Sequence, residues 1–170
     1  MAGKKYRGTG KVASADFHNV AWKGLTKSGS AITITLENAV NLGNMDWTFA
    51  EKGETVAQVV LTATYDNTDE MATDTTEPWT IDIDNEPTSA SGEIIVGAGI
   101  FYIDDVAVAL TRGGGSFNVA RTFRNINADG DRGPVKDRIA MDESVASFTM
   151  NTLQILTKVD SLYSAVEVVE

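Results

Sequence analysis

The chain has 170 residues, 42% of them hydrophobic and 22% charged, and a formal net charge of −10 at pH 7. This length and composition are typical of one soluble globular domain with a core of its own. There is no cysteine and only one histidine, His18, which excludes disulfides, thiolate metal sites and multi-histidine metal sites. The excess of acids argues against tight binding of phosphate groups, which requires clustered Lys and Arg.

Short segments of alternating or β-branched residues, separated by turn formers, predict strands in the first half of the chain. The clearest lies at residues 31–37, where Ile32, Ile34 and Leu36 alternate with threonines. Residues 1–7 are predicted to form a flexible arm. The strands predicted in this half are residues 8–12, 20–25, 31–37, 45–50, 55–65 and 79–83.

The acidic residues are unevenly distributed. Between Lys52 and Arg112 there is no basic residue, and this interval holds about half of all the acids. Its polar loop, residues 66–78, is predicted to be mobile in an isolated subunit and to become ordered against basic residues of a neighbour. A solvated loop that only aids solubility is the alternative. The acids proposed to take part in docking are Asp66, Asp69, Glu70, Asp74 and Glu77.

The second half is also predicted to be rich in strands. Residues 85–92 (NEPTSASG) have the composition of a linker between the two halves. A hairpin turn is predicted at Asp104 and Asp105, and helical spacing of apolar residues predicts one short helix at residues 157–165. The further predicted strands are residues 93–96, 99–103, 106–110, 116–124, 143–155 and 166–170. With about ten strands and one short helix, residues 1–170 are expected to form a single mainly β domain, an antiparallel sandwich or barrel-like fold.

Residues 111–136, TRGGGSFNVARTFRNINADGDRGPVK, combine three unusual features. A three-glycine turn is predicted at 113–115, then a strand on which Phe117, Val119, Arg121 and Phe123 share one face. A loop of turn formers and alternating charges follows. We expect this combination to form a surface that pairs with other copies of the chain, although ordinary surface charge is the alternative for each residue. The candidate interface residues are Arg121, Arg124, Asp129, Asp131, Arg132 and Lys136.

The usual chemical motifs are incomplete. A calcium loop counted from Asn127 would place Arg132 and Arg138 where a glycine and a bidentate glutamate are required. The three glycines lack the lysine and helix of a phosphate cradle, and the adjacent Asp104 and Asp105 do not suit paired-carboxylate hydrolysis. The sequence therefore predicts no enzyme, no metal and no cofactor. Trp22, Trp47 and Trp79 are interpreted as core or interface anchors, with a sugar site as the alternative.

Three segments carry a resemblance to a known family. They are residues 100–139, IFYIDDVAVALTRGGGSFNVARTFRNINADGDRGPVKDRI, residues 38–66, NAVNLGNMDWTFAEKGETVAQVVLTATYD, and the Glu-Pro-Trp sequence at 77–79. They resemble the major tail (tail tube) proteins of long-tailed bacteriophages. The resemblance implies a β-sandwich-like subunit that forms hexameric rings, whose stacking makes a tube in the virion tail. It also implies synthesis in the bacterial host cytoplasm and partners that include other copies, other tail proteins and double-stranded DNA, which passes through without specific binding. No membrane partner is implied.

The order of the two halves differs from that family. The half with TRGGGSF and GDRGPVK comes first in the family and second here, which implies a circular permutation with the original ends joined near residues 85–92. A chain whose order is simply native is the alternative. Two other functions also remain open: a carbohydrate- or ligand-binding β-sandwich module that uses the tryptophans, and a capsid decoration protein.

Overall fold

The structure is a computed structural model that describes residues 4–47, 54–65, 77–85, 89, 95–108, 111–130, 132–153 and 159–169. The fold is mainly β, with 58% of the described residues in strands and 5% helical, as the sequence predicts. A 3-10 turn at Ser14–Asp16 precedes the second strand. The other elements are β1 Lys5–Gly8, β2 His18–Thr26, β3 Ala31–Ala39, β4 Ala57–Thr62, β5 Trp79–Ile83, β6 Ile95–Ile103, β7 Val106–Val108, β8 Thr111–Asn125, β9 Ile139–Thr152, α1 Val159–Leu162 and β10 Val166–Val169.

The described strands form three antiparallel sheets. A five-stranded sheet has the order β5-β3-β2-β6-β7, a three-stranded sheet has the order β4-β9-β8, and β1 pairs with β10. Each sheet takes strands from both sides of residues 85–92, so the two halves of the sequence are interleaved. Most of residues 86–94, and with them most of the predicted linker, lie outside the described residues.

The core lies between the two larger sheets. On β3, Ile32, Ile34 and Leu36 are buried and alternate with more exposed threonines, as predicted. On β9, Ala146, Phe148 and Met150 are buried in the same alternating manner, which also confirms the prediction for that strand. Because successive side chains of a strand point to opposite faces, each of these sheets supplies one apolar face to the core.

The turn at Asp104 and Asp105 joins β6 to β7, as predicted. Both residues have positive φ values, 46° and 62°, which a two-residue hairpin turn requires and which aspartate tolerates better than most residues. The short helix also lies within its predicted range. Asn41 ties the helix to the rest of the fold, because its Nδ2 donates a hydrogen bond of 2.9 Å to the carbonyl of Leu162.

Several boundaries were predicted wrongly. Residues 5–7 belong to β1 and are not a flexible arm: each pairs with a residue of β10, and Arg7 forms an ion pair with Glu167. The strand predicted at 8–12 ends at Gly8, and residues 45–47 of the strand predicted at 45–50 are not extended in a sheet, while 48–50 lie outside the described residues. The strands predicted at 93–96 and 99–103 are one strand, β6.

The prediction of a three-glycine turn is also wrong, because residues 113–115 lie inside β8. The pairing of β8 with β9 shifts between Thr111 and Gly115, and Gly114 has a φ of +75°. This is a bulge, in which glycine allows the positive φ that other residues rarely adopt. The glycines therefore adjust a long strand and do not reverse its direction.

Candidate assembly interface

The hairpin formed by β8 and β9 crosses the core face of the five-stranded sheet. Near the start of β8, Gly115 lies against the ring of Phe101 on β6. Further along, the ring of Phe117 packs 5.7 Å from that of Trp79 on β5, and Arg121 binds Glu77 immediately before β5. Because β5 is the edge strand of that sheet among the described residues, the hairpin beyond Arg121 extends past the sheet.

This extension, residues 122–126 and 139–143, is here named the hairpin overhang. Its register pairs Phe123 with Met141 and Asn125 with Ile139. The pairing shifts by one residue of β9 between Thr122 and Phe123, so that Met141 and not Asp142 lies opposite Phe123. By alternation along β8, Phe123 points to the same side as Phe117, whose ring packs into the core, and its direct partner Met141 lies on that side too. In the overhang, however, Phe123 is 57%, Ile139 56% and Met141 40% exposed. The core face of the three-stranded sheet therefore continues as an apolar surface that none of the described residues covers, and such a surface is typical of an interaction site.

Glu77 and Arg121, predicted for two different interfaces, meet at the base of the overhang. The Arg121 Nη2 donates a hydrogen bond of 3.0 Å to Glu77 Oε2, and Trp79 Nε1 donates to the same carboxylate oxygen. The guanidinium also lies 5.7 Å from the centre of the Trp79 ring, a cation–π contact. The Glu77 side chain is only 15% exposed, against 39% for Arg121. Both residues thus have partners within their own chain, and their participation in a contact with another copy stays a prediction.

The surroundings of Glu77 lower its pKa. Burial alone would raise the pKa of this carboxyl, but the hydrogen bonds from Arg121 and Trp79 and the positive charge of Arg121 outweigh it. Since the folded state holds the carboxylate more tightly than the unfolded chain does, Glu77 stabilises the fold at any pH above its unfolded pKa, about 4.3. That contribution is lost as the pH falls through the lower folded pKa.

Replacing Glu77 by glutamine is therefore expected to change the pH dependence of stability. The free energy of unfolding of the unchanged chain should fall more steeply between about pH 5 and pH 3 than that of the E77Q variant, because the amide has no charge to lose in that range. Urea denaturation at a series of pH values measures this. As a control, D142N alters the exposed pair between Arg124 and Asp142, and exposed pairs contribute little. Parallel pH profiles for the unchanged chain and E77Q would contradict the role given to this ion pair.

The remaining predicted interface residues lie on the hairpin overhang or on the loop that joins its strands. Arg124 Nε donates a hydrogen bond of 2.7 Å to Asp142 Oδ1 across the hairpin. The loop is closed by backbone hydrogen bonds from Ile126 to Arg138 and from Arg138 to Val135. Asp129, Arg132 and Lys136 are exposed on it. Asp131, and the predicted docking acids Asp66, Asp69, Glu70 and Asp74, lie outside the described residues.

An open cleft that the sequence analysis did not anticipate lies near the start of β8. Its volume is about 450 Å³. Trp22 lies across Gly24 and Gly99, where any side chain would collide with the indole ring. The glycines at 97 and 99, two residues apart within one strand, were a sequence signal for it. We name it the glycine–aromatic cleft and define it by Trp22, Gly97, Gly99, Phe101, Gly115 and Phe117.

The three tryptophans do not share a site. Trp47 donates a hydrogen bond of 3.1 Å from its Nε1 to the hydroxyl of Tyr163, and Trp79 packs against Phe117. Only Trp22 lines the cleft. Two of the three tryptophans thus act as anchors within the fold, as one of the two sequence interpretations expected.

The single histidine contacts a turn. His18 Nδ1 and Asp104 Oδ2 are 2.6 Å apart, and the other oxygen of Asp104 accepts a hydrogen bond from the backbone of Asn19. These contacts fasten the β6–β7 turn to the start of β2. Within the part of the chain that the structure describes, no group of three or more His, Cys, Asp or Glu residues is placed to hold a metal ion. No helix among those residues is long and apolar enough to cross a membrane.

Comparisons with protein-family models, with curated proteins and with solved structures find no match to this chain.

Proposed function

We propose that this chain is a structural subunit that polymerises into stacked hexameric rings and forms the tail tube of a long-tailed bacteriophage. The hairpin overhang carries the proposal. It exposes Phe123, Ile139 and Met141 on the continuation of a core face, beyond the edge of the opposing sheet. An apolar surface of this kind, rimmed by charged residues, is stabilised when a partner covers it.

The free strand edges fit the same proposal. Among the described residues, β5 ends one side of the five-stranded sheet and β8 ends one side of the three-stranded sheet. Strand edges offer unpaired backbone donors and acceptors to other chains, and a closed ring covers them. The net charge of −10 fits a conduit as well, since acidic walls repel the phosphates of DNA and let it slide through.

The permuted order is part of the proposal. β1 pairs with β10, so that Lys5 lies opposite Val169 and the two ends of the fold are adjacent. A short connection between them would need no rearrangement of the sheets. Because every sheet combines strands from both halves, a chain cut at residues 85–92 is expected to remain associated.

A ligand-binding module is the second candidate, and the glycine–aromatic cleft favours it. Sugar recognition usually combines an aromatic ring with several polar groups that fix orientation. Trp22 supplies the ring, but among the described residues that line the cleft, Ser116 alone has a hydroxyl, amide or charged side chain. The cleft is thus better suited to an apolar occupant than to a glycan. A capsid decoration protein, the other alternative, has no specific observation in its favour.

Electron microscopy of the purified chain, with light scattering after size exclusion, tests the proposal. We expect hexameric rings or tubes. The double substitution Phe123→Ser and Ile139→Ser should leave the fold intact, because both side chains are exposed, and should abolish the polymers. Leu42→Ser is the matched control, since Leu42 is 67% exposed outside the hairpin. A chain that stays monomeric at every concentration would refute the proposal.

A further inference from the structure

A second pocket, which is polar, lies on the face of the five-stranded sheet that points away from the core. Its volume is about 420 Å³. On β2, Ala21 points to this face, since its neighbour Val20 is buried in the core. Ala21 lies between Thr35 of β3 and Tyr102 of β6, which are both larger, so its small side chain leaves a depression between them. We name this depression the outer-face pocket and define it by Asn19, Ala21, Lys23, Thr33, Thr35 and Asp105.

Several polar groups in the outer-face pocket are available to a ligand. The side chains of Thr33 and Thr35 are half-buried, and neither hydroxyl has a hydrogen-bond partner among the described residues. The Asp105 carboxylate forms no ion pair or hydrogen bond within the same part of the chain. A threonine hydroxyl both donates and accepts hydrogen bonds, whereas a carboxylate only accepts them. A ligand can therefore bond to all three side chains without displacing a described contact of the fold.

Charged groups are held at the two ends of the outer-face pocket. The Lys23 ammonium lies 4.6 Å from the centre of the Tyr102 ring, a cation–π contact that restricts its position. At the other end, Asp104 Oδ1 accepts a hydrogen bond of 2.9 Å from the backbone N–H of Asn19, which fixes the turn that carries Asp105. Lys23 and Asn19 are four residues apart on β2, about 14 Å along the strand. Because the charged groups are in place before a ligand arrives, binding costs little conformational entropy.

This combination of groups indicates the chemistry of the ligand. A simple anion near Lys23 would also meet the carboxylates of Asp104 and Asp105, and a simple cation near those carboxylates would also meet Lys23. A large apolar group would take these charges out of water without pairing them. The hydroxyl groups of a sugar, by contrast, accept hydrogen bonds from an ammonium group and donate them to a carboxylate. The volume of the pocket is within the range of about 300–1,000 Å³ that is typical of small-molecule sites.

We propose that the outer-face pocket binds a neutral sugar. The hydroxyl groups of the sugar donate to Asp105, accept from Lys23 and exchange hydrogen bonds with the two threonines, while its ring lies over Ala21. The glycine–aromatic cleft lies on the opposite side of the same sheet, so the two sites are separate. The inference does not depend on the proposed self-assembly, because the hairpin overhang belongs to the three-stranded sheet.

Saturation-transfer NMR tests the proposal, because it detects the binding of a small ligand to a single chain and to a polymer alike. The probes are glucose, galactose, mannose and N-acetylglucosamine, each added to the unchanged chain. We expect saturable transfer to at least one of them, with a Kd on the order of 1–10 mM, since a ligand of this size makes few contacts. The absence of saturable transfer to all four, at concentrations up to about ten times that Kd, would overturn the proposal.

Valine substitutions locate the bound sugar. T33V and T35V each remove one hydroxyl and keep the β-branched shape that suits a strand, so the fold should remain intact. Each should raise the Kd about tenfold or more, because a hydroxyl of the sugar loses its partner. T62V is the matched control, since Thr62 is also half-buried but lies on β4 in the other large sheet, and it should bind like the unchanged chain. If neither T33V nor T35V binds more weakly than T62V, the sugar is bound elsewhere and the proposal is wrong.

Competition experiments test the class of ligand. Inorganic sulfate and the diamine putrescine, each at the concentration of the sugar, should leave the transfer unchanged, and displacement by either would mean that the pocket is an ion site and overturn the proposal. S116A alters the glycine–aromatic cleft instead. Loss of sugar binding in S116A together with full binding in T35V would assign the sugar to the cleft and refute the outer-face pocket. Rings or tubes, which test the proposed function, change none of these outcomes.

Discussion

Replacing Phe148 by alanine is expected to lower the free energy of unfolding by about 3–5 kcal/mol, a large part of the 5–15 kcal/mol typical of such a domain. Phe148 lies in the middle of β9 and is only 1% exposed. Its ring meets that of Phe101 edge-on at 5.5 Å and that of Phe117 at 5.4 Å. The contact with Phe101 joins the two larger sheets, so the truncation leaves a cavity that rigid strands on either side cannot close.

The matched control is Phe123→Ala, the same chemical change farther along the same hairpin. Phe123 is 57% exposed, so its truncation should alter stability by less than about 0.5 kcal/mol, as for other surface substitutions. It should nevertheless weaken assembly. Urea denaturation measured by circular dichroism gives both free energies. Equal losses for the two variants would mean that the overhang is packed as tightly as the core, and it would then have no surface to offer to a partner.

The sequence predicted the parts of the fold that alternation determines. On β3 and β9, apolar residues recur at every second position, because one face of each strand is buried and the other is not. The turn at Asp104 and Asp105 was predictable for a local reason too, since residues that tolerate a positive φ separate two apolar segments. Such features depend only on neighbours in the sequence.

Features that depend on distant residues were not predictable in this way. Residues 5–7 look like a charged arm, but they complete a two-stranded sheet with residues more than 150 positions away. Glu77 was assigned to a loop that docks on a neighbour and Arg121 to a subunit interface, and the structure pairs them across 44 positions. No local pattern in the sequence shows that β8 crosses the five-stranded sheet and continues beyond its edge strand β5. For that reason the sequence pointed to the hairpin as a surface but not to its apolar overhang or to the cleft.

The three glycines at 113–115 illustrate the same limit. Consecutive glycines usually indicate a turn, because they accept a positive φ. Of these glycines, Gly114 uses that freedom, with a φ of +75°. Gly115 is required for a different reason: β8 approaches β9 and the ring of Phe101 so closely at this point that no side chain fits. Close approach is a property of the packed sheets, and the sequence gives no local sign of it.

Replacing Gly115 by alanine is therefore expected to destabilise the fold by about 1–3 kcal/mol through overpacking. The new Cβ would lie within 3.0 Å of the Thr149 carbonyl oxygen and of Phe101 Cζ. Neither neighbour can retreat easily, because β9 is the central strand of its sheet and the ring of Phe101 packs against Phe148.

The control Gly97→Ala should instead raise the free energy of unfolding by about 0.4–1 kcal/mol, because alanine lowers the entropy of the unfolded chain. The new Cβ meets open space, and Gly97 is not among the glycines with positive φ, so the folded state is not strained. Thermal or urea denaturation of the two variants in parallel measures the difference. If the Gly115→Ala variant were as stable as Gly97→Ala, β8 would not pack as closely on β6 and β9 as the structure shows. The side of the cleft that β8 forms would then also be misplaced. If only Gly115→Ala is destabilised, the core fixes the position of β8 at this point, and with it the start of the hairpin that ends in the overhang.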